Sequence, residues 1–328
     1  MWRSAVCAVQ GAGHRKKAVP CQDKTFEFER GGVHIVALAD GAGSARLSHF
    51  GAERVVRTVS ALLADRFETY QACADALSVK REIVGTLRAA LEEEAADRRC
   101  AVSELASTLL AAAVSGDRFL LVHIGDGVIG YLDGDELKVA SHPENGEFSN
   151  VTTFVTSESA IASMRVYKGA LRDKSGFVLM SDGTEQSLYR KRTGTLADSV
   201  SRLMQRTCLL RRDAMERQLT EAFTSVITHR TADDCSIAIL ARPSAALLPV
   251  ERMGFEERRS LYGIPAYDGR LRKRVSRYDA ILGLLNEPRC VRQVAACIHL
   301  RPAGARARLE ELRERGLVER TGNRYRKA

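Results

Sequence analysis

Val36-Ala37-Leu38-Ala39-Asp40-Gly41-Ala42-Gly43-Ser44 joins an apolar run to an acidic glycine turn, and a helical pattern follows from about Ser48. A continuous apolar run of this length reads as a buried strand. Asp-Gly followed by small residues reads as a turn that lets backbone approach a neighbour closely. Alone, such a turn ends many strands. The pattern recurs, however: Asp126 in Gly125-Asp126-Gly127, Asp182 in Ser181-Asp182-Gly183 after Phe177–Met180, and Asp234 in Asp233-Asp234-Cys235-Ser236 before Ile237–Leu240. Asp23, in Cys21-Gln22-Asp23, precedes a further strand.

Working outward, residues 5–9, 25–29 and 33–39 have strand patterns, with a polar Gly-, His- and Lys-containing loop over 11–17. Ala52, Val55, Val56, Val59, Leu62 and Leu63 recur at helical spacing. So do Ile83, Leu87, Ala90 and Leu91, before the charged run 92–99, a solvated helix face. Strands are expected at 106–114, 119–124, 128–132, 151–156, 177–180 and 237–240, with a hairpin turn at Asp133-Gly134-Asp135. Helices are expected near 196–203 and 215–227. Strands in groups with helices in pairs predict an α+β fold.

At 328 residues, the chain is long enough for one large domain and a smaller one, and its 45% apolar content fits a globular protein. No apolar run is long enough to cross a bilayer, and Met1-Trp2-Arg3-Ser4 lacks a signal-peptide core. Eight scattered cysteines without a CxxC pair suit reduced thiols. The expectation is a soluble cytoplasmic protein with no membrane partner. From Arg270 onward there are sixteen Lys/Arg against six Asp/Glu, although the whole chain carries only +9. A basic module therefore follows a nearly neutral body, and the Pro-containing stretch 243–274 reads as a linker.

Carboxylates gathered at strand ends would repel one another unless cations held them. Oxygen donors without a His or Cys set suit Mg²⁺ or Mn²⁺ rather than zinc. Two such ions about 3.5–4 Å apart can activate a water and neutralise a phosphoryl group.

The residues that carry this chemistry resemble, in order and over roughly 1–241, the bacterial branch of the type-2C metal-dependent protein phosphatases. The matching stretches are Gly13-His14 to Cys21-Gln22-Asp23, Ala39 to Ser44 with Gly51-Ala52, Ala106-Ser107-Thr108, Gly125-Asp126-Gly127, Thr152-Thr153-Phe154, Ser181-Asp182-Gly183 and Asp234-Cys235-Ser236. The resemblance implies a β-sandwich of two antiparallel sheets flanked by helix pairs, with two metals and a third, looser one. It implies that Asp40 bridges the metals, with Gly41 offering its carbonyl. Asp182 and Asp234 hold the first metal, Asp23 or Gln22 serves the second, and Asp126 helps hold the third. A metal-activated water would attack phosphoserine or phosphothreonine in a protein substrate made by a cognate Ser/Thr kinase.

Two departures stand out. Gln22 replaces a glutamate common in the family. Ala42 and non-arginine residues stand where many members have a His after Asp-Gly and an Arg before the acidic pair. His14, Lys16 and Lys17 are the candidates to bind phosphate instead, and His14 is also a candidate catalytic group. The alternative is a regulatory pseudophosphatase acting through its tail.

That tail, 275–328, reads as three helices and a hairpin around Thr321-Gly322-Asn323, similar to a winged helix. Arg301, Arg306 and Arg308 in its third helix, with Arg324 in the hairpin, are candidate nucleic-acid contacts. Glu310, Glu311 and Glu314 offer those arginines partners within the helix, leaving a protein-binding role open.

Overall fold

A computed structural model describes residues 1–143, 152–247 and 249–328. In chain order the body comprises β1 (Arg3–Val9), α1 (Ala12–Lys17), β2 (Lys24–Arg30), β3 (Val33–Ala39), α2 (Ser48–Ala72), α3 (Ala76–Arg98), β4 (Leu109–Ser115), β5 (Arg118–Ile124), β6 (Val128–Asp133) and β7 (Glu136–Ser141). It continues with α4 (Ala160–Ser163), β8 (Arg165–Ala170), β9 (Lys174–Met180), α5 (Asp182–Leu188), β10 (Tyr189–Arg190), β11 (Thr195–Leu196), α6 (Ser199–Leu209), α7 (Arg212–Ser225) and β12 (Cys235–Ala241).

Two five-stranded sheets, ordered β1-β12-β9-β6-β7 and β2-β3-β4-β5-β8, pair antiparallel throughout. Alternation along each strand builds the layers. In β3, Val36 and Leu38 pack between the sheets with Leu110, Leu121, Phe177, Leu179 and Leu240. Ile35, Ala37 and Ala39 face the other way, onto Val55, Val59, Leu63, Ile83 and Leu87 of α2 and α3. In β12, Ile237 and Ile239 turn outward onto Val200, Met204, Leu219 and Phe223 of α6 and α7. The result is the expected α+β sandwich with a helix pair on each face.

Some local expectations are corrected. The stretch 11–17 is not a loop: residues 12–17 form a short helix. Helix α6 starts at Ser199, because Leu196 belongs to the small β10–β11 hairpin. Val151 of the expected strand 151–156 lies outside the described residues, and residues 152–156 form no strand. All eight cysteines are free thiols. Among the described residues, no helix is long and apolar enough to cross a membrane.

The segment between body and tail holds α8 (Phe255–Leu261) and buries Leu247, Val250, Met253, Tyr262 and Ile264. The tail follows as α9 (Leu271–Leu284), β13 (Arg289–Cys290), α10 (Val291–Cys297), α11 (Pro302–Glu314), β14 (Val318–Thr321) and β15 (Arg324–Lys327), its strands ordered β13-β15-β14. Tyr278, Ile281, Leu309, Leu312 and Tyr325 of the tail share one apolar cluster with β12 and α7 of the body.

Candidate metal centre

Strand register brings the acidic turns to one end of the sandwich. Lys24 pairs with Ala39, so Asp23 and Asp40 emerge together from β2 and β3. Leu109 pairs with Ile124, which sets Thr108 beside the Asp126 turn. Met180 pairs with both Val128 and Ile237, so Asp182 and the Asp233-Asp234 pair leave from the same rim. The Asp40 turn is pinned there by its own backbone: Asp40 N–H donates to Thr108 Oγ1 at 2.9 Å, and Thr108 N–H donates to Asp40 O at 2.8 Å.

Glycine is needed at two points. A Cβ at Gly41 would lie 2.8 Å from Ser48 Oγ, and one at Gly183 would lie 2.0 Å from the backbone oxygen of Asp234. Gly183 is what lets α5 start against the β12 rim, with Asp182 in its first turn.

The carboxyls form an uncompensated cluster. Asp23 is 1% exposed, and neither carboxylate oxygen finds a hydrogen-bond partner. Burial pushes it up to about 7, and the charges of Asp234 and Asp182 add to the rise. Asp40 is driven well above the usual carboxylate range by burial and then by Asp23, Asp182, Asp233 and Asp126. Asp182 rises to about 6 through burial and the charges of Asp233 and Asp126, eased by a hydrogen bond with Asp40, and its Oδ1 is buried without a partner. Asp126 accepts from Thr152 Oγ1 at 2.6 Å.

Other expected residues lie differently. Asp234 is 1% exposed and already engaged: its Oδ1 accepts from Gly11 N–H at 2.7 Å, and its Oδ2 from Gln22 N–H at 2.6 Å. His14 Nδ1 stands 2.9 Å from the same Oδ1. Gln22 is buried, and its Nε2 donates to Ser48 Oγ at 2.6 Å and to the carbonyls of Ala42 and Ala45. Lys16 and Lys17 are exposed on α1; Lys16 lines a cleft with Arg15, His229 and Arg230. His123 is fully buried between Ser141 Oγ and Gly125 O, and burial lowers it to about 3, so it is a neutral structural residue.

The sequence reading passed over Asp233 and Glu185. Asp233 is exposed, and its charge raises Asp40 and Asp182. Asp233 lies in the bend before β12, where its Oδ1 accepts from Asp234 N–H at 2.9 Å, and the sequence does not say which of the two carboxylates that bend turns to the cluster. Glu185 sits one turn along α5 from Asp182, 1% exposed, with Oε2 unpartnered.

In the tail, Arg308 pairs with Glu311 at 2.7 Å, and Arg313 with Glu310 at 2.5 Å. Arg301, Arg306 and Arg324 are exposed, and Arg306 lines a small cleft with Arg292, Arg320 and Asn323.

Among the described residues, no three acidic, His or Cys groups close on one another tightly enough to form a coordination shell unaided. The chemistry of the donors nevertheless fits a hard divalent cation. They are oxygens alone, several are buried and unpartnered, and their mutual repulsion lacks a counter-charge at the centre.

Comparison with known proteins bears on the same architecture. The family model described as Protein phosphatase 2C matches residues 10–224. The serine/threonine-protein phosphatase 3 of Escherichia coli K12 is 29% identical over 172 residues, covering 51% of this chain and 67% of that protein. Among solved structures, a bacterial serine phosphatase aligns with a TM-score of 0.53 at 14% identity, covering 74% of this chain and 99% of its own. The serine/threonine phosphatase Stp1 of Staphylococcus aureus aligns with a TM-score of 0.52 at 15% identity, covering 74% and 96%. At these identities the structures speak for the fold. The chain belongs to the protein phosphatase 2C family, the class of protein serine/threonine phosphatases that its motifs resemble.

Proposed function

We propose that this chain is a Mg²⁺- or Mn²⁺-dependent phosphatase acting on phosphoserine and phosphothreonine in proteins, the products of a Ser/Thr kinase. The observation that carries the reading is the convergence of Asp23, Asp40, Asp126, Asp182 and Asp233 at one end of the sandwich, with Asp23, Asp40 and Asp182 all raised chiefly by burial. Asp40 and the Gly41 carbonyl would help hold the ions, with Asp182 and Asp233 serving the first, Asp23 the second, and Asp126 a looser third. Asp233 takes the place expected of Asp234, whose oxygens are committed to Gly11 and Gln22. Asp234 instead ties the loop of Gln22-Asp23 to the β12 rim, with His14 Nδ1 close beside its Oδ1. Bound, the ions would supply water activation and neutralise phosphoryl charge.

The protein's own contribution is positioning. Thr152 orients Asp126, and Thr108 fixes the Asp40 turn. His14 is held where it can exchange a proton with a leaving group, and Lys16 and Lys17 extend positive charge along α1 toward an acidic peptide. The engagement of Gln22 Nε2 with Ser48 keeps the alternative in view, a regulatory pseudophosphatase with a weak second-metal side. Hydrolysis of a phosphothreonine peptide with Mn²⁺, with and without chelator, decides between them. The phosphatase reading expects chelator-sensitive turnover lost in Asp182→Asn, and turnover indifferent to both would overturn it.

For the tail, we propose a division into a catalytic part (1–242), a packed connector (243–274) and a winged-helix-like part (275–328) that binds nucleic acid or a protein. The order α9-β13-α10-α11-β14-β15 and the exposed Arg301, Arg306 and Arg324 support nucleic acid, with Arg308 committed to Glu311. A salt series in a gel shift with the full chain expects binding that weakens steeply as salt rises. No binding at low salt would favour the protein partner.

A further inference from the structure

Near the carboxyl cluster, the cations expected to meet phosphate are engaged or elsewhere. His14 faces Asp234, and Lys16 and Lys17 are exposed on α1; Lys24, next to Asp23, is also engaged, its Nζ donating to the backbone carbonyls of Cys21 and Asp23 at 2.7 and 3.3 Å. A different basic group stands at the rim. The β10–β11 hairpin turns through residues 191–194, with Thr193 and Gly194 N–H both donating to Arg190 O. Tyr189 Oη bonds His142 Nδ1 at 2.9 Å, and Ala197 N–H donates to Leu188 O at 2.8 Å, so the hairpin is anchored at its base.

At its tip, Lys191 forms an ion pair with Glu185, the buried carboxylate one turn from Asp182. Glu185 shares the first turn of α5 with Asp182, so the ion pair sets the Lys191 ammonium beside the carboxyl cluster, where the charges of Asp182 and Asp126 also act on it. Its side chain is still 62% exposed, so one end is anchored while the head can reach an incoming group. Arg190 and Arg192 flank it, both exposed and without an ion pair among the described residues.

We propose that Lys191 is the cation that binds the substrate's phosphoryl oxygens, with Glu185 as the ammonium's partner until phosphate competes for it, and Arg190 and Arg192 favouring phosphopeptides with acidic neighbours. This rests on the phosphatase reading above. A phosphate dianion accepts several charge-assisted hydrogen bonds, and an ammonium makes them from any direction.

The test measures inorganic phosphate binding to the Mn²⁺-loaded full chain by calorimetry, and the KM for a phosphothreonine peptide, in Lys191→Met, Lys191→Arg and Glu185→Gln. Lys191→Met is expected to weaken phosphate binding and raise KM about tenfold, with kcat changed far less. Lys191→Arg should retain most of the affinity, and Glu185→Gln, which frees the ammonium, should keep or tighten it. Unchanged phosphate affinity in Lys191→Met, or parallel losses in Lys191→Met and Glu185→Gln, would overturn the proposal. Phosphate binding needs no turnover, so absent hydrolysis in the wild type would count against the phosphatase reading while leaving Lys191 measurable.

Discussion

Asp233 and Asp234 are adjacent carboxylates in opposite settings, one exposed and one buried, and the proposed difference in their roles is measurable. Asp234 accepts two backbone N–H groups in a buried setting, so Asp234→Asn should cost about 1–3 kcal/mol of stability, read by denaturant unfolding without metal. Asp233→Asn removes a repelling charge from Asp40 and Asp182. The metal-free protein should then unfold no earlier than wild type, while the Mn²⁺ concentration for half-maximal activity rises at least tenfold. The reverse assignment, with Asp234→Asn alone moving the metal requirement, would restore the sequence-based expectation. Asp182→Asn should lower kcat/KM about 10³-fold on a phosphothreonine peptide without changing the circular dichroism.

At the level of elements, legibility followed length and amphipathicity. Strand β3 and helices α2 and α3 were readable because long apolar repeats at period 2 or 3.6 leave one assignment. Helix α5 was missed: it has seven residues, includes Gly183, and owes its position to packing on the β12 rim. Strand β8, Arg165–Ala170, was missed because it lies at a sheet edge with charged residues, where the apolar pattern is absent. The β10–β11 hairpin is too short for any periodicity, although it carries Lys191. Where alternation was clear, its energetic weight can be checked. Leu240 on β12 is 1% exposed between the two sheets, so Leu240→Ala should cost about 2–5 kcal/mol in equilibrium unfolding.

Across the whole molecule, the acidic cluster ties metal to stability. Asp23 at about 7 and Asp182 at about 6 lie above the roughly 3.9 of a free aspartate, so folding raises both. Their contribution to stability is therefore complete below about pH 4 and is lost as pH rises through 6–7, unless a cation replaces the proton. Saturating Mn²⁺ should raise the Tm by more at pH 8 than at pH 5.5, and an equal rise at both would contradict the cluster as the binding place. The tail is part of the same body energetically: Arg211 N–H donates to Gly316 O at 2.7 Å, and Arg3 Nη2 to Ala328 O at 2.9 Å. Ending the chain at residue 274 should lower the Tm and increase dye binding to exposed apolar surface, since Leu309, Leu312 and Tyr325 would leave a shared core.

From the sequence alone came the α+β class and four of the five clustered carboxyls (Asp23, Asp40, Asp126 and Asp182), because strand ends and apolar alternation are written in local order, and the family through the resemblance of its ordered motifs. Tertiary structure alone shows that the oxygens of Asp234 are committed to backbone N–H groups, which carries the proposal of Asp233 in its place, and it alone sets Glu185 and Lys191 at the rim and packs the connector into the core. Those depend on which side chains the register of two sheets brings to one end, a relation between residues as far as 223 apart that no local pattern encodes.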